Sequence, residues 1–263
     1  MMEKYPCGAG VPPASFRAGE TPASSRAGET PASSRAGETP APQKTHHAIF
    51  LQPLSLLALA LLAGALAVIF LVAPRESTMG DAQRILYVHV AVAWNALLGM
   101  LIAAVAGILY LLRRNLAWDH WAQAAAELGW LANSLTLITG SLWAHCAWGV
   151  WWTWDPRLTA ALILWTIYCG YLLIRSGQDD PHRRARIAAV VAVVGLLDVP
   201  LVVMATRWFR GVHPVAPQME PSMRLVLLLS VVGFTAFFGL LLARRRGQLH
   251  LEQRLIELEQ QLW

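Results

Sequence analysis

ILYVHVAVAWNALLGMLIAAVAGILYLL, residues 85–112, contains no charged side chain and stops at Arg113-Arg114. About 20 apolar residues suffice for a helix to cross the hydrocarbon of a bilayer, so this run is long enough to span one. Five further apolar runs accompany it: Ile49–Ala73 before it, then roughly Ala122–Leu142, Leu158–Ile174, Ile187–Thr206 and Leu225–Ala243 after it. The third run in chain order is more polar, with Glu127, Asn133, Ser134 and Thr136, and the fifth contains Asp198 and Pro200. Apolar residues make up 56% of the chain and charged residues only 14%, which excludes an ordinary soluble domain. No alternating pattern of the barrel type occurs. The expected fold is therefore an all-α polytopic membrane protein with six transmembrane helices, a membrane domain over 49–243.

The charges between the runs set an orientation. The tail, the loops after runs two and four and the C-terminus hold fifteen of the 21 Lys and Arg residues; the other three loops hold six. Positive charge collects on the cytoplasmic side, so both termini are expected there, with the loop after run three on the outer, periplasmic face. The net charge of +5 is accounted for in this way and calls for no nucleic-acid partner. Within residues 1–48, Arg-Ala-Gly-Glu-Thr-Pro-Ala recurs from Arg17, Arg26 and Arg35. Such a segment buries too little apolar surface to offset the entropy of ordering, and it reads as a disordered tail. At the other end, residues 244–263 place Leu251, Leu255, Leu258 and Leu262 on one helical stripe beside Glu252, Arg254, Glu257 and Glu259. They read as a separate cytoplasmic amphipathic helix lying on the membrane surface or against its own domain.

Chemistry concentrates in the outer loops. Trp148, Trp151, Trp152 and Trp154 fall within seven residues, closed by Asp155 and Arg157. One or two interfacial tryptophans are ordinary anchors; four of them with an acid and a base make a platform for a flat, apolar ligand carrying carboxylates. If the stretch is helical, Trp148, Trp151 and Trp152 share a face. Of eight histidines, five lie in tails or cytoplasmic loops. His89 instead sits four residues inside the second run, about 6 Å below its outer start at 1.5 Å per residue, where an ionisable group marks a functional position. His213 lies in the outer loop after run five. Two neutral imidazoles flanking a porphyrin make a sound iron site, so His89 and His213 are the candidate metal ligands and heme the candidate ligand. Its propionates need cations, for which Arg84 and Arg157 are chosen over Arg207 and Arg210. His145 and Cys146, just before the tryptophans, are alternative ligands. Cys7, Cys146 and Cys169 form no paired motif and the chain has no Cys-x-x-Cys-His, so the heme is expected to be non-covalent heme b.

The stretch Trp148–Thr159 resembles the tryptophan-rich heme-handling motif of cytochrome c biogenesis membrane proteins, and most closely the family of heme exporter protein C, also called cytochrome c maturation protein C. The likeness extends to Arg84–Val90, Gly140-Ser141, Val199-Pro200 and Met219–Arg224 and covers roughly residues 49–243. It implies a multi-pass protein of the bacterial inner membrane that holds heme at its periplasmic face. It further implies axial ligation by His89 and His213, propionate contacts by Arg84 and Arg157, and delivery to a membrane-anchored periplasmic heme chaperone, beside the ABC-transporter subunits of a maturation complex. No catalytic residues follow from it; the protein is expected to be no enzyme. Two features depart from the pattern: His145-Cys146 ahead of the motif, and Asp198 where the family tends to have Asn. The alternatives are a heme–protein ligase component and a small-molecule transporter with Glu127 and Asp198 along its pathway.

Overall fold

The computed structural model describes residues 46–209, 211, 213 and 219–262, with side chains from residue 52 onward. The repeat tail expected over 1–48 falls almost entirely outside these residues, and so does Arg210. The described chain is helical, with no strand: α1 His46–Ala67, α2 Arg84–Arg113, α3 Leu116–Trp148, α4 Pro156–Ser176, α5 Pro181–Leu196, α6 Asp198–Trp208 and α7 Pro221–Gln261. A single π-type turn, Val68–Val72, prolongs α1, and a 3-10 turn, Asp81–Gln83, leads into α2.

Five of the described segments are long and apolar enough to cross a membrane: Gln52–Val72, Asp81–Arg113, Pro156–Ser176, Pro181–Trp208 and Pro221–Gln261. The chain is thus a multi-pass helical membrane protein. The more polar α3 has the length to be a sixth, at 33 residues or about 50 Å. Its charges are met by its neighbours. Arg175 of α4 donates two hydrogen bonds to Asp119, at 2.7 and 2.8 Å, and one to Gln123 at 2.6 Å, with Arg175 and Asp119 both buried. Arg245 of α7 donates to Glu127 at 2.5 and 3.2 Å.

Helices in lipid gain little from hydrophobic burial against one another, so small residues that permit close approach decide where they pack. The main cluster follows this rule, with Ala103, Ala104, Ala124, Ala125, Ala126, Ala188 and Ala192 around Tyr168 and Tyr171. At the α2–α3 crossing a Cβ added to Gly99 would come within 2.8 Å of the Gly129 Cα, and one added to Gly129 would collide with the Tyr168 hydroxyl. That hydroxyl donates to the Ala96 carbonyl at 2.7 Å, so α4 is pinned into the α2–α3 crossing.

Two elements depart from the simplest reading of the runs. The fifth run is split, with α5 ending at Leu196 and α6 starting at Asp198. Pro200 explains the position. It lacks the N–H that would bond the Leu196 carbonyl, and its ring crowds that same carbonyl. Asp198 is buried at the break, and neither carboxylate oxygen has a partner among the described residues. The sixth run does not end near Ala243. α7 continues unbroken through Arg244, Arg245 and Arg246 to Gln261, so residues 244–261 form no separate helix lying on a surface. Leu249 packs into the main cluster and Arg246 stacks over Trp121 of α3 at 5.3 Å.

Candidate functional site

α3 ends at Trp148 because Gly149 takes the left-handed conformation, φ +73°, which glycine adopts without steric penalty, and its N–H bonds the His145 carbonyl at 3.0 Å. The helical arrangement considered for the tryptophans is therefore not formed. Asp155 starts the next helix. Its carboxylate accepts from the backbone N–H of Arg157 at 2.8 Å and of Leu158 at 3.3 Å, with Pro156 in the first turn of α4. Ser141 of α3 donates to the Trp151 carbonyl at 2.8 Å and ties the intervening loop back. The four tryptophans then point in different directions. Trp148 meets Trp143 and His213 edge-on, both at 5.1 Å. Trp151 stacks flat on His145 at 4.1 Å, and Trp154 stands edge-on to Trp152 at 5.8 Å. Trp151 and Trp154 are exposed, at 54% and 75%.

A cavity of about 340 Å³ lies behind this loop, lined by residues of α2, α3, α4 and α6 and by His213. It includes His89, Trp152, Arg157 and His213. Trp94 and Val203 line it too and are themselves exposed, at 47% and 43%, so it opens on the apolar flank of the protein. Its volume is in the range of small-ligand and cofactor pockets.

His89 is held firmly. Its ring lies against Gly140, where an added Cβ would stand 2.8 Å from Cε1. Its Nδ1 is 3.1 Å from the Thr139 hydroxyl, which spends its single hydrogen on the Leu135 carbonyl at 2.7 Å. With that hydrogen on the Leu135 carbonyl, Thr139 is placed to accept from the imidazole, an arrangement that favours the proton on Nδ1 and a lone pair on Nε2. His213 is held differently. Its backbone N–H reaches Asp155 Oδ2 at 3.4 Å, and Nδ1 is 3.6 Å from Oδ1, beyond hydrogen-bond distance. Gly211 packs against the same carboxylate, leaving no room for a Cβ.

The electrostatics of this outer loop favour a neutral imidazole. Burial, aided by the nearby Arg157 charge, holds His213 below the ordinary histidine range and outweighs the pull of Asp155. Burial pushes Asp155 the other way, but the backbone N–H groups of Arg157, Leu158 and His213 and the field of His213 together hold it below the ordinary carboxylate range. Arg157 faces the cavity, and its guanidinium has no ion-pair partner among the described residues.

The structure thus brings His89, His213, Trp152 and Arg157 to one cavity. Trp148 stands behind His213, and Asp155 caps α4 and backs the His213 segment. Arg84 lies elsewhere. Its guanidinium donates to the Phe70 carbonyl at 2.7 Å and pairs with Asp81 at 3.2 Å. Glu127 and Asp198 do not line the cavity. Sequence reasoning missed Thr139 as the partner of His89 and α3 as a wall. Asn133, Thr136, Leu137, Gly140, Ser141 and Ala144, all lining, recur at helical spacing, a stripe of small and polar residues that was available as a signal.

A sequence profile described as heme exporter protein C matches residues 38–261. The chain is 34% identical over 202 residues to a protein named heme exporter protein C from Bradyrhizobium diazoefficiens, covering 74% of each chain. It is 34% identical over 185 residues to the protein of that name from Paracoccus denitrificans, covering 67% of this chain and 77% of the relative. A Marchantia polymorpha protein named putative cytochrome c biosynthesis ccmC-like mitochondrial protein is 33% identical over 172 residues, covering 64% and 73%.

Proposed function

The chain belongs to the heme exporter protein C family, and on that premise we propose that it holds heme b, non-covalently, between His89 and His213 and hands it on during c-type cytochrome biogenesis. The observation that carries this reading is the shared cavity. Two imidazoles from distant parts of the chain line it together, beside Arg157, which has no ion-pair partner among the described residues. Neutral imidazole is the form that ligates iron. Arg157 supplies the fork for a propionate, and Trp152 supplies an apolar wall. Arg84 serves the α1–α2 junction, so one propionate is left to Arg157 or to solvent. When bound, the iron supplies the coordination bonds; the protein supplies geometry, shielding and release.

The excess of Lys and Arg on the opposite loops supports an outer, periplasmic position for this face, and the family supports the bacterial inner membrane. The recipient is then a membrane-anchored heme chaperone meeting the exposed Trp151 and Trp154, with ABC-transporter subunits completing the complex. No reaction on a substrate is required, and the chain acts as a carrier without catalytic turnover.

The test is the absorption spectrum of the detergent-purified protein. A heme Soret band is expected for the natural sequence and is expected to vanish when His89 and His213 are both replaced by Ala. A band of undiminished intensity in that double variant would refute the ligand assignment.

A further inference from the structure

We infer that the turn joining α2 to α3 and the first turns of α5 together hold the phosphate headgroup of an anionic phospholipid. The two segments are far apart in sequence and are brought together by one tyrosine. Tyr110, near the end of α2, donates to the His182 carbonyl at 2.9 Å, and its ring stacks on the His182 imidazole at 6.3 Å. Tyr110, Ala185 and Ala189 form a small core closed by Leu116 and Trp118. Arg113 and Arg114 of the turn thereby join Arg183, Arg184 and Arg186 of α5 at one end of the bundle. The charges of Arg114 and Arg186 both bear on the Tyr110 hydroxyl.

None of these five arginines has an ion-pair partner among the described residues. The nearby acids are engaged otherwise. Asp119 is bound by Arg175, and Asp180 accepts from the His182 N–H at 2.9 Å to cap α5. Asp179 pairs with none of the five. The Nε of Arg184 is shielded from solvent and has no hydrogen-bond partner among the described residues. Like charges gathered this closely repel one another, and an anion between them removes the repulsion.

A second, independent feature is the backbone at Arg114. It takes the left-handed conformation, φ +54°, and its N–H bonds the Tyr110 carbonyl at 2.7 Å. Gly149 ends α3 in the same way, and glycine is the usual residue at such a helix end. An L side chain is strained there. Arginine at this position holds a charge where glycine would hold the fold without strain, which points to a ligand for that charge.

The surroundings select a lipid. α2 and α5 both belong to segments of membrane-crossing length. Ile108 and Leu112 of α2, and Val190 and Val194 of α5, are exposed further into the spans. Arg113 lies over the Trp118 ring at 5.8 Å, an aromatic of the kind found at headgroup level. Basic pockets between membrane helices bind anionic headgroups, and the arginine fork fits a phosphate. An acidic protein segment would match the charges but not the apolar residues beside them. This site lies apart from the cavity of His89 and His213 and does not depend on the heme reading.

The experiment places the full-length protein in phosphatidylcholine nanodiscs with a trace of spin-labelled phosphatidylglycerol, and reads the motionally restricted fraction by electron paramagnetic resonance. Spin-labelled phosphatidylcholine is the reference. A preference of at least about tenfold for phosphatidylglycerol is expected, and Arg114→Gly and Arg186→Gln should each cut it about fivefold. Arg254→Gln removes a charge from the far end of α7 and should leave it unchanged. Arg114→Gly should also keep or raise the melting temperature in phosphatidylcholine alone, which a merely structural arginine would not do. Inorganic pyrophosphate titrated into phosphatidylcholine discs should show no saturable binding. The proposal is overturned by equal restriction of the two labels, by an equal loss in Arg254→Gln, by a lowered melting temperature in Arg114→Gly, or by pyrophosphate binding that assigns the arginines to a soluble phosphate.

Discussion

Thr139 does more for His89 than its size suggests. A hydroxyl that gives its hydrogen to the Leu135 carbonyl favours one His89 tautomer, with the proton on Nδ1 and the lone pair on Nε2. Hydrogen-bond partners behind a metal-ligating imidazole fix its ring orientation, and their loss typically costs about 10–100-fold in metal affinity. Thr139→Val keeps the shape and removes the acceptor. It should weaken heme binding by about tenfold in a titration followed at the Soret band, while the melting temperature stays nearly unchanged. Equal affinity in the variant would show that the tautomer is set elsewhere. His89 itself was legible from the sequence, because an ionisable side chain inside an apolar run has few bland explanations. Thr139 was not legible, because a lone threonine in a helix ordinarily bonds its own i−4 carbonyl and signals nothing more.

At the scale of the elements, the close crossing of α2 and α3 depends on Gly99 and Gly129, with the Tyr168 hydroxyl wedged beside them. Gly129→Ala puts a methyl where that hydroxyl sits, so the ring must leave and the Ala96 carbonyl loses its donor. Overpacking of a close contact costs about 1–3 kcal/mol, to be read as a lowered melting temperature in detergent. The apolar runs announced themselves through length and composition, and the proline break announced its place through the carbonyl four residues upstream. The continuation of α7 did not. Arg244-Arg245-Arg246 ends an apolar run, yet arginine is a good helix former and nothing there breaks the backbone. The tryptophan loop was misleading in another way: its composition pointed to a site, but the Gly149 turn scatters the rings, and Trp152 alone of the four reaches the cavity wall.

Across the whole molecule, the site is assembled from parts that only tertiary packing brings together, and its pH behaviour follows from that assembly. Burial holds His213 below its ordinary value of 6.5. On acidification the unfolded chain therefore takes up the proton first. The stabilisation is complete above about pH 6.5 and is lost as pH falls through the depressed folded value. Asp155, also depressed, acts in the same direction at lower pH. Melting temperature and heme affinity should both fall as pH drops from about 8 to about 5, and His213→Gln should flatten the histidine part of that profile. A flat profile for the natural sequence would contradict the burial argument.

The pinned crossing of α2, α3 and α4 has one more consequence, which concerns how the site lets go. His89 of α2 is seated against Gly140 and Thr139 of α3, two helices that are packed closely at Gly99 and Gly129. His213 lies outside the helices; its backbone N–H reaches Asp155 at 3.4 Å and its ring meets Trp148 edge-on at 5.1 Å. If both imidazoles hold heme, the helix-borne His89 is the firmer of the two and the loop-borne His213 is the ligand expected to release first. His213→Ala should therefore retain heme with a high-spin, five-coordinate spectrum, whereas His89→Ala should lose most of it. The reverse order of retention would make His213 the firmer ligand.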